Sequence, residues 1–258
     1  YERRFSWWSA YAESGNEGGF VEALLEGQPD APTYFARMKR LNRGYTRILG
    51  RLPDPPRLTP AVLKAAVANG ATLIDTRPRG EFSTLHIEGS ISVPDQPSFS
   101  SRAAWFASPD HPIVLLAPPE RVGALVRRLV RVGLDNIAGY IADVKGAGMP
   151  TASLPGIELN EAQRRWSSDE AIVLDVRQVG EYAEAHVPGA THISSGRLRA
   201  KIADVPKNKP LLVMCARGDR SVSAASVLNA LGFKNIASVP EGFDEWRAQG
   251  LPIESGNA

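Results

Sequence analysis

The sequence predicts an α/β protein made of two tandem copies of one parallel-sheet domain, each sheet flanked by helices, with a helical and looped tail ahead of them. Three observations carry that expectation. One segment is written twice, short apolar runs alternate with helical stretches in both copies, and proline-rich stretches fall where boundaries are needed. The 258 residues, 43% apolar and 22% charged, are ample for two domains with buried cores.

Taken in order, residues 1–57 read as the tail, with helical or loop stretches such as Phe20 to Leu25 and the basic Arg37-Met38-Lys39-Arg40. Its start at Tyr1 rather than Met reads as a fragment or a processed product. Pro53, Pro55, Pro56 and Pro60 mark the first boundary, and the first copy spans 58–152. Pro150, Pro155 and Gly156 mark a linker, and the second copy spans 158–258.

Within the copies, Leu73-Ile74-Asp75-Thr76-Arg77 is matched by Val173-Leu174-Asp175-Val176-Arg177, Gly80-Glu81-Phe82 by Gly180-Glu181-Tyr182, and His86 and Gly89 by His186 and Gly189. Each match begins with a strand-like run ending in Asp-x-Arg and continues into a polar helix and a turn. Farther on, Ile113 to Ala117 lines up with Leu211 to Cys215, the pattern of a strand buried on both faces. A helix follows from Ser221, with Ala224, Val227, Leu228 and Leu231 at helical spacing until Gly232 stops it.

Cys215 is the single cysteine, so no internal disulfide forms. It ends an apolar strand and opens Ala216-Arg217-Gly218-Asp219-Arg220-Ser221. In a parallel α/β domain such a strand end faces the ligand crevice. If 216–220 curls around the sulfur, its amides and the following helix N-terminus favour a thiolate, and Arg217 and Arg220 add charge. Surroundings of this kind take a thiol pKa from about 8.5 to roughly 3.5–7.5. A guanidinium fork suits a sulfonate or similar oxyanion, so the partners expected are small anions. The first copy carries Ala117-Pro118-Pro119 instead, with neither thiol nor the amides a cradle needs.

The second copy resembles the rhodanese family through Asp175-Val176-Arg177, Gly180-Glu181-Tyr182, His186-Val187-Pro188-Gly189-Ala190, Cys215 to Ser221, and Gly242-Phe243-Asp244-Glu245-Trp246 with Gly250-Leu251-Pro252. That resemblance implies a sulfurtransferase. Its thiolate takes the outer sulfur of thiosulfate or a low-molecular-weight persulfide and passes it to cyanide, sulfite or a thiol. It implies Cys215 as nucleophile, Arg220 beside it in catalysis, and Ala216, Arg217, Gly218, Asp219 and Ser221 as substrate-binding. Asp219, a carboxylate beside an anion site, is expected to turn outward or pair with an arginine.

Asp175, Arg177 and His186 recur as Asp75, Arg77 and His86 in the copy without a thiol, so they are read as supporting scaffold. His111 and His192 have no spaced partners of metal-binding type, and no metal or other cofactor is expected in this chain. Trp166 and Trp246 are read as packing in the second core.

The order of tail, thiol-less copy and thiol-bearing copy is similar to the C-terminal part of metallo-β-lactamase-fold proteins fused to tandem rhodanese domains, the persulfide dioxygenase-like fusions. The stretches Phe20 to Glu26, Pro32-Thr33-Tyr34-Phe35 and Met38 to Asn42 carry this similarity. It implies an upstream metallo-β-lactamase-fold domain as a partner and makes the tail a remnant of that domain.

Two rivals stand beside sulfur transfer: a cysteine-dependent phosphatase or arsenate reductase on the same cradle, and a non-enzymatic sulfur carrier or interaction module. The cradle's six-residue length resembles the sulfur-transferring members, whereas related phosphatases use a longer loop. A formal charge of +2 without basic clusters disfavours nucleic acid. No apolar run nears the roughly 18 residues of a membrane span, and a reducing cytoplasm is the expected location.

Overall fold

A computed structural model describes residues 6–25, 31–32, 34–45 and 50–256. The expectations attached to Tyr1 to Phe5, Glu26 and Thr33 lie outside the described residues. Among the described residues the tail holds three short α-helices, α1 (Ser9–Ser14), α2 (Glu17–Leu25) and α3 (Tyr34–Arg40), none of which contains a buried residue. Trp7 stacks on Phe20 at 5.9 Å, a small aromatic contact rather than a core.

The first copy opens with α4 (Pro60–Ala68), whose start is fixed by Pro60 in its first turn and by Thr59, whose hydroxyl accepts from the Val62 amide. It continues through β1 (Thr72–Asp75), α5 (Arg79–Thr84), β2 (His86–Ile87), β3 (Ile91–Ser92), α6 (Phe99–Phe106), β4 (Ile113–Leu116), α7 (Pro119–Val130), β5 (Ile137–Ile141) and β6 (Thr151–Ala152). The sheet order is β3-β1-β4-β5, all parallel. Every residue of β4 is buried, as Ile113-Val114-Leu115-Leu116 predicts for a central strand covered on both faces.

The second copy repeats this with α8 (Leu159–Ser167), β7 (Ile172–Asp175), α9 (Val179–Glu184), β8 (Thr191–His192), β9 (Leu211–Met214), α10 (Asp219–Ala230), β10 (Ile236–Ser238) and α11 (Gly242–Ala248). Its parallel sheet runs β10-β9-β7-β8, the same topology position for position. Even the small accessory pairing recurs: His86 pairs antiparallel with Ala152, and His186 with Glu254. Among the described residues no helix is long and apolar enough to cross a membrane.

Residues 150–160 differ from the free linker the prolines suggest. The Leu154 amide donates to Ser83 O at 3.0 Å in the first copy, and the Ile157 amide donates to Ser238 O at 2.9 Å in the second. Satisfying these backbone groups ties the segment to α5 of the first copy and to β10 of the second. The copies also share one continuous apolar cluster that includes Ile74, Phe82 and Leu115 with Leu174, Val213 and Cys215.

Helix α10 is the joint, and its surroundings differ from those the apolar spacing suggests. Ser221 to Leu228 are all buried, serines included, whereas Leu231 falls just past the helix and is 42% exposed. Small serine and alanine side chains let the first copy approach, and the Ser92 amide donates to Ser226 Oγ at 2.9 Å. A second tie is Arg199 Nη1 donating to Phe106 O at 2.6 Å.

Candidate active site

Strand β9 ends at Met214 and α10 begins at Asp219, so Cys215 to Gly218 form the turn between a central strand and a helix. The turn is held from outside by its carbonyls. Cys215 O accepts from the Phe243 amide at 2.8 Å and Ala216 O from the Asp244 amide at 3.1 Å. Arg217 O accepts from Arg79 Nη1 at 2.6 Å, and Gly218 O from the Ser221 hydroxyl at 2.9 Å. The amides are the reverse case. Among the described residues, the N–H groups of Ala216 to Ser221 meet no carbonyl or side-chain acceptor. A trans peptide points its carbonyl and amide to opposite sides, so tying the carbonyls down leaves an N–H face turned away from them.

Gly218 makes this turn possible. It adopts φ +82°, and a Cβ there would collide with Pro240 O and Arg79 Nη1. Gly242, at φ +75°, lets α11 press its first turn on the carbonyls of Cys215 and Ala216. We expect Gly218→Ala to displace the turn, lowering any activity that depends on Cys215 at least about tenfold and stability by about 1–3 kcal/mol. Activity assays and thermal denaturation of the variant check both. A variant with both unchanged would contradict the strained-turn account.

The cationic groups are arranged differently from the sequence expectation. Arg220 forms a two-pronged pair with Glu181, at 2.6 and 2.7 Å, instead of offering a free fork. Burial pulls the pKa of Arg220 down, but Glu181, Cys215 and Asp175 more than offset it, and the net shift is upward. Arg217 turns to solvent with its side chain 83% exposed, 3.7 Å from Asp244. Asp219 turns outward too, half-exposed and 3.5 Å from Arg79 of the first copy. Ser221 is fully buried with its hydroxyl committed to Gly218 O, so its side chain closes the turn instead of facing a substrate.

Glu181 is the group that sequence reasoning passed over. Its carboxylate accepts the Gln178 amide at 2.9 Å at the start of α9 and also grips Arg220. In the first copy Val122 stands where Arg220 would be, and the matching Glu81 is mostly exposed. That pairing of a glutamate with an arginine only in the thiol-bearing copy was the available signal.

Burial pushes the Glu181 pKa up, yet Arg220 and the Gln178 amide outweigh it, leaving the folded value below the usual carboxylate range. A depressed folded pKa means stability that is complete above the unfolded value and is lost as pH falls through the folded one. Glu181→Gln should therefore lower Tm at about pH 7, and the gap to the parent should close as pH falls below the usual carboxylate range and through the depressed folded pKa of Glu181. A gap that persists unchanged on acidification would contradict this.

Asp175 and Arg177 form a buried pair, Arg177 Nη2 donating to Asp175 Oδ2 at 2.6 Å and to Ala185 O at 2.7 Å. Asp75 and Arg77 repeat it, with Leu85 O as the carbonyl. His186 Nδ1 hydrogen-bonds Tyr182 O at 2.8 Å, the ring stacks on Tyr182, and Nε2 lies 3.2 Å from Glu254 Oε1. His86 repeats the carbonyl bond and the stack. Trp246 is fully buried, 5.4 Å edge-on from Trp166. These residues brace the second sheet around the turn.

Cys215 itself is 1% exposed, unlike the open crevice expected of the strand end. The first copy packs against this end of the sheet and brings Arg79 to the turn. In the first copy Ala117 replaces the thiol, its amide bonds Ile141 O, and Pro118 and Pro119 start α7 without amides to offer.

The family model for the rhodanese-like domain matches residues 59–144 and again 158–249. The chain belongs to the rhodanese-like family. The "Putative sulfur carrier protein YrkF" of Bacillus subtilis (strain 168) is 29% identical over 60% of this chain and 78% of its own length. The thiosulfate sulfurtransferase GlpE of Pseudomonas entomophila (strain L48) is 37% identical over 31% of this chain and 74% of its own.

Among solved structures, a rhodanese-related protein from Thermoplasma volcanium is 29% identical, with a TM-score of 0.36 over 39% of this chain and 97% of its own. A metallo-β-lactamase from Staphylococcus aureus subsp. aureus COL is 26% identical, with a TM-score of 0.45 over 55% of this chain and 38% of its own. The rhodanese-like relatives support sulfur transfer as the general chemistry.

Proposed function

We propose that the chain is a sulfurtransferase in which Cys215 accepts a sulfur atom from thiosulfate or a low-molecular-weight persulfide and hands it to cyanide, sulfite or a thiol. The observation that carries this reading is the asymmetry of the turn, its carbonyls bound outward and its amides from Ala216 to Ser221 unengaged beside the lone thiol. Backbone amides with no internal partner suit both a sulfur anion and the oxygens of a donor.

With thiosulfate, the Cys215 sulfur attacks the outer sulfur. A new S–S bond forms as the bond to the sulfonate sulfur breaks, and that electron pair leaves as sulfite. Cyanide then attacks the outer sulfur of the Cys215 persulfide and departs as thiocyanate, returning the thiolate. No outside oxidant or reductant is needed. Arg220, held by Glu181, lends positive charge from a fixed position.

The test is thiocyanate formation under excess thiosulfate and cyanide, with aryl phosphate hydrolysis in parallel. Many turnovers per chain and no phosphate release are expected. Phosphate release with no thiocyanate would overturn the reading. A carrier, the reading that the relative from Bacillus subtilis favours, would load one sulfur per chain and stop until its partner is supplied.

A further inference from the structure

Arg102 lies on α6 of the copy that has no thiol, yet it is 8% exposed and close enough to the other copy's turn to interact electrostatically with Cys215, Asp219 and Arg220. Its Nη1 is fully buried with no hydrogen-bond partner, and among the described residues no carboxylate pairs with its guanidinium. The charged groups that act on it are Asp219, Cys215, Arg220 and Arg79, all at the Cys215 turn. Of these, Asp219 acts on Arg102 from a distance but lies against Arg79, and Arg220 is held by Glu181, so no carboxylate makes an ion pair with Arg102 among the described residues.

A buried, unpaired cation is strongly unfavourable in a structural role, and burial holds the Arg102 pKa below its usual value. Such a charge is kept where an anion arrives to complete it. The unengaged amides of Ala216 to Ser221 are a second, independent set of donors at the same place.

We propose that Arg102 is a specificity-determining residue of a composite site, its guanidinium binding the oxyanion end of the sulfur donor while the second copy supplies the thiol and the amides. The thiol-less copy thereby gains a role: it provides the cation that its partner copy does not leave free. Arg79 anchors the turn for this purpose through Arg217 O and Asp219. The proposal rests on Cys215 as the sulfur-accepting atom.

The experiment uses the full chain carrying Cys215→Ser, which binds but cannot be loaded, and measures thiosulfate affinity by calorimetry. Adding Arg102→Met should weaken binding at least about tenfold, and Arg102→Lys should recover part of it. Because the native charge is unpaired, Arg102→Met should leave Tm unchanged or raise it. Equal affinity with and without Arg102 overturns the proposal. So does a loss that Arg102→Lys does not recover and that comes with a lowered Tm, which assigns Arg102 to packing.

These outcomes separate from those of the sulfurtransferase reading. If the unmodified chain turns over thiosulfate with no dependence on Arg102, only the composite site fails. If thiosulfate binding depends on Arg102 but no sulfur is transferred, only the transferase reading fails.

Discussion

Replacing Cys215 with serine is expected to lower thiocyanate formation at least about a thousandfold, to the level of the reaction without protein. A serine hydroxyl stays protonated at neutral pH and cannot accept a sulfur atom as a persulfide. No second thiol exists in the chain to take over. The fold should tolerate the change, since cysteine and serine differ little in volume and unpartnered amides lie beside the new hydroxyl. A thermal midpoint shifted by the equivalent of about 1 kcal/mol or less separates lost chemistry from lost structure. Residual turnover within tenfold of the parent would remove Cys215 from the mechanism.

The largest stability effect is expected at Arg177. Its guanidinium and the Asp175 carboxylate have side chains 4% and 1% exposed, so each depends on the other for its charge. Arg177→Met leaves a carboxylate buried without its counter-charge and also removes the hydrogen bond to Ala185 O and the guanidinium over the Phe243 ring. A loss of about 3–5 kcal/mol follows. Chemical denaturation measures it directly. The same change at Arg77 should cost somewhat less, because the Arg77 side chain is itself 20% exposed, although Asp75 is as fully buried as Asp175.

Replacing the second-copy pair together, Asp175→Leu with Arg177→Met, should recover much of the loss, because no lone charge then remains buried. If the single Arg177 variant proves as stable as the parent, the pair does not brace β7 and the scaffold reading is wrong.

Repetition made the fold legible. Asp75-Thr76-Arg77 and Asp175-Val176-Arg177 mark equivalent strand ends, and the short apolar runs at Ile113 and Leu211 are the central strands of both sheets. The position of the thiol was legible for the same reason, since Cys215 and Ala117 end matched strands. Periodicity failed at α10, where serines are buried because the neighbour is another domain and not water. A hydrophobic pattern reports contact with oil-like surroundings and says little about close packing of small polar side chains.

The structure gathers the predicted site residues at one turn but gives several of them other partners than expected. Arg217 and Arg220 were expected to face the anion, but chain proximity does not set where a long side chain points. Glu181 captures Arg220, and solvent takes Arg217. Arg79 and Arg102 were out of reach for a different reason. They act across the junction of two copies, and nothing local in the sequence says that the copy without a thiol faces the one that has it.

Sulfur transfer by this chain requires Cys215 to carry the transferred sulfur. Intact mass of the full chain after incubation with thiosulfate and removal of excess donor tests this directly. One added sulfur atom is predicted, localised to the peptide containing Cys215, absent from Cys215→Ser and discharged by cyanide. An unchanged mass, or the same added mass on the Cys215→Ser chain, would contradict it.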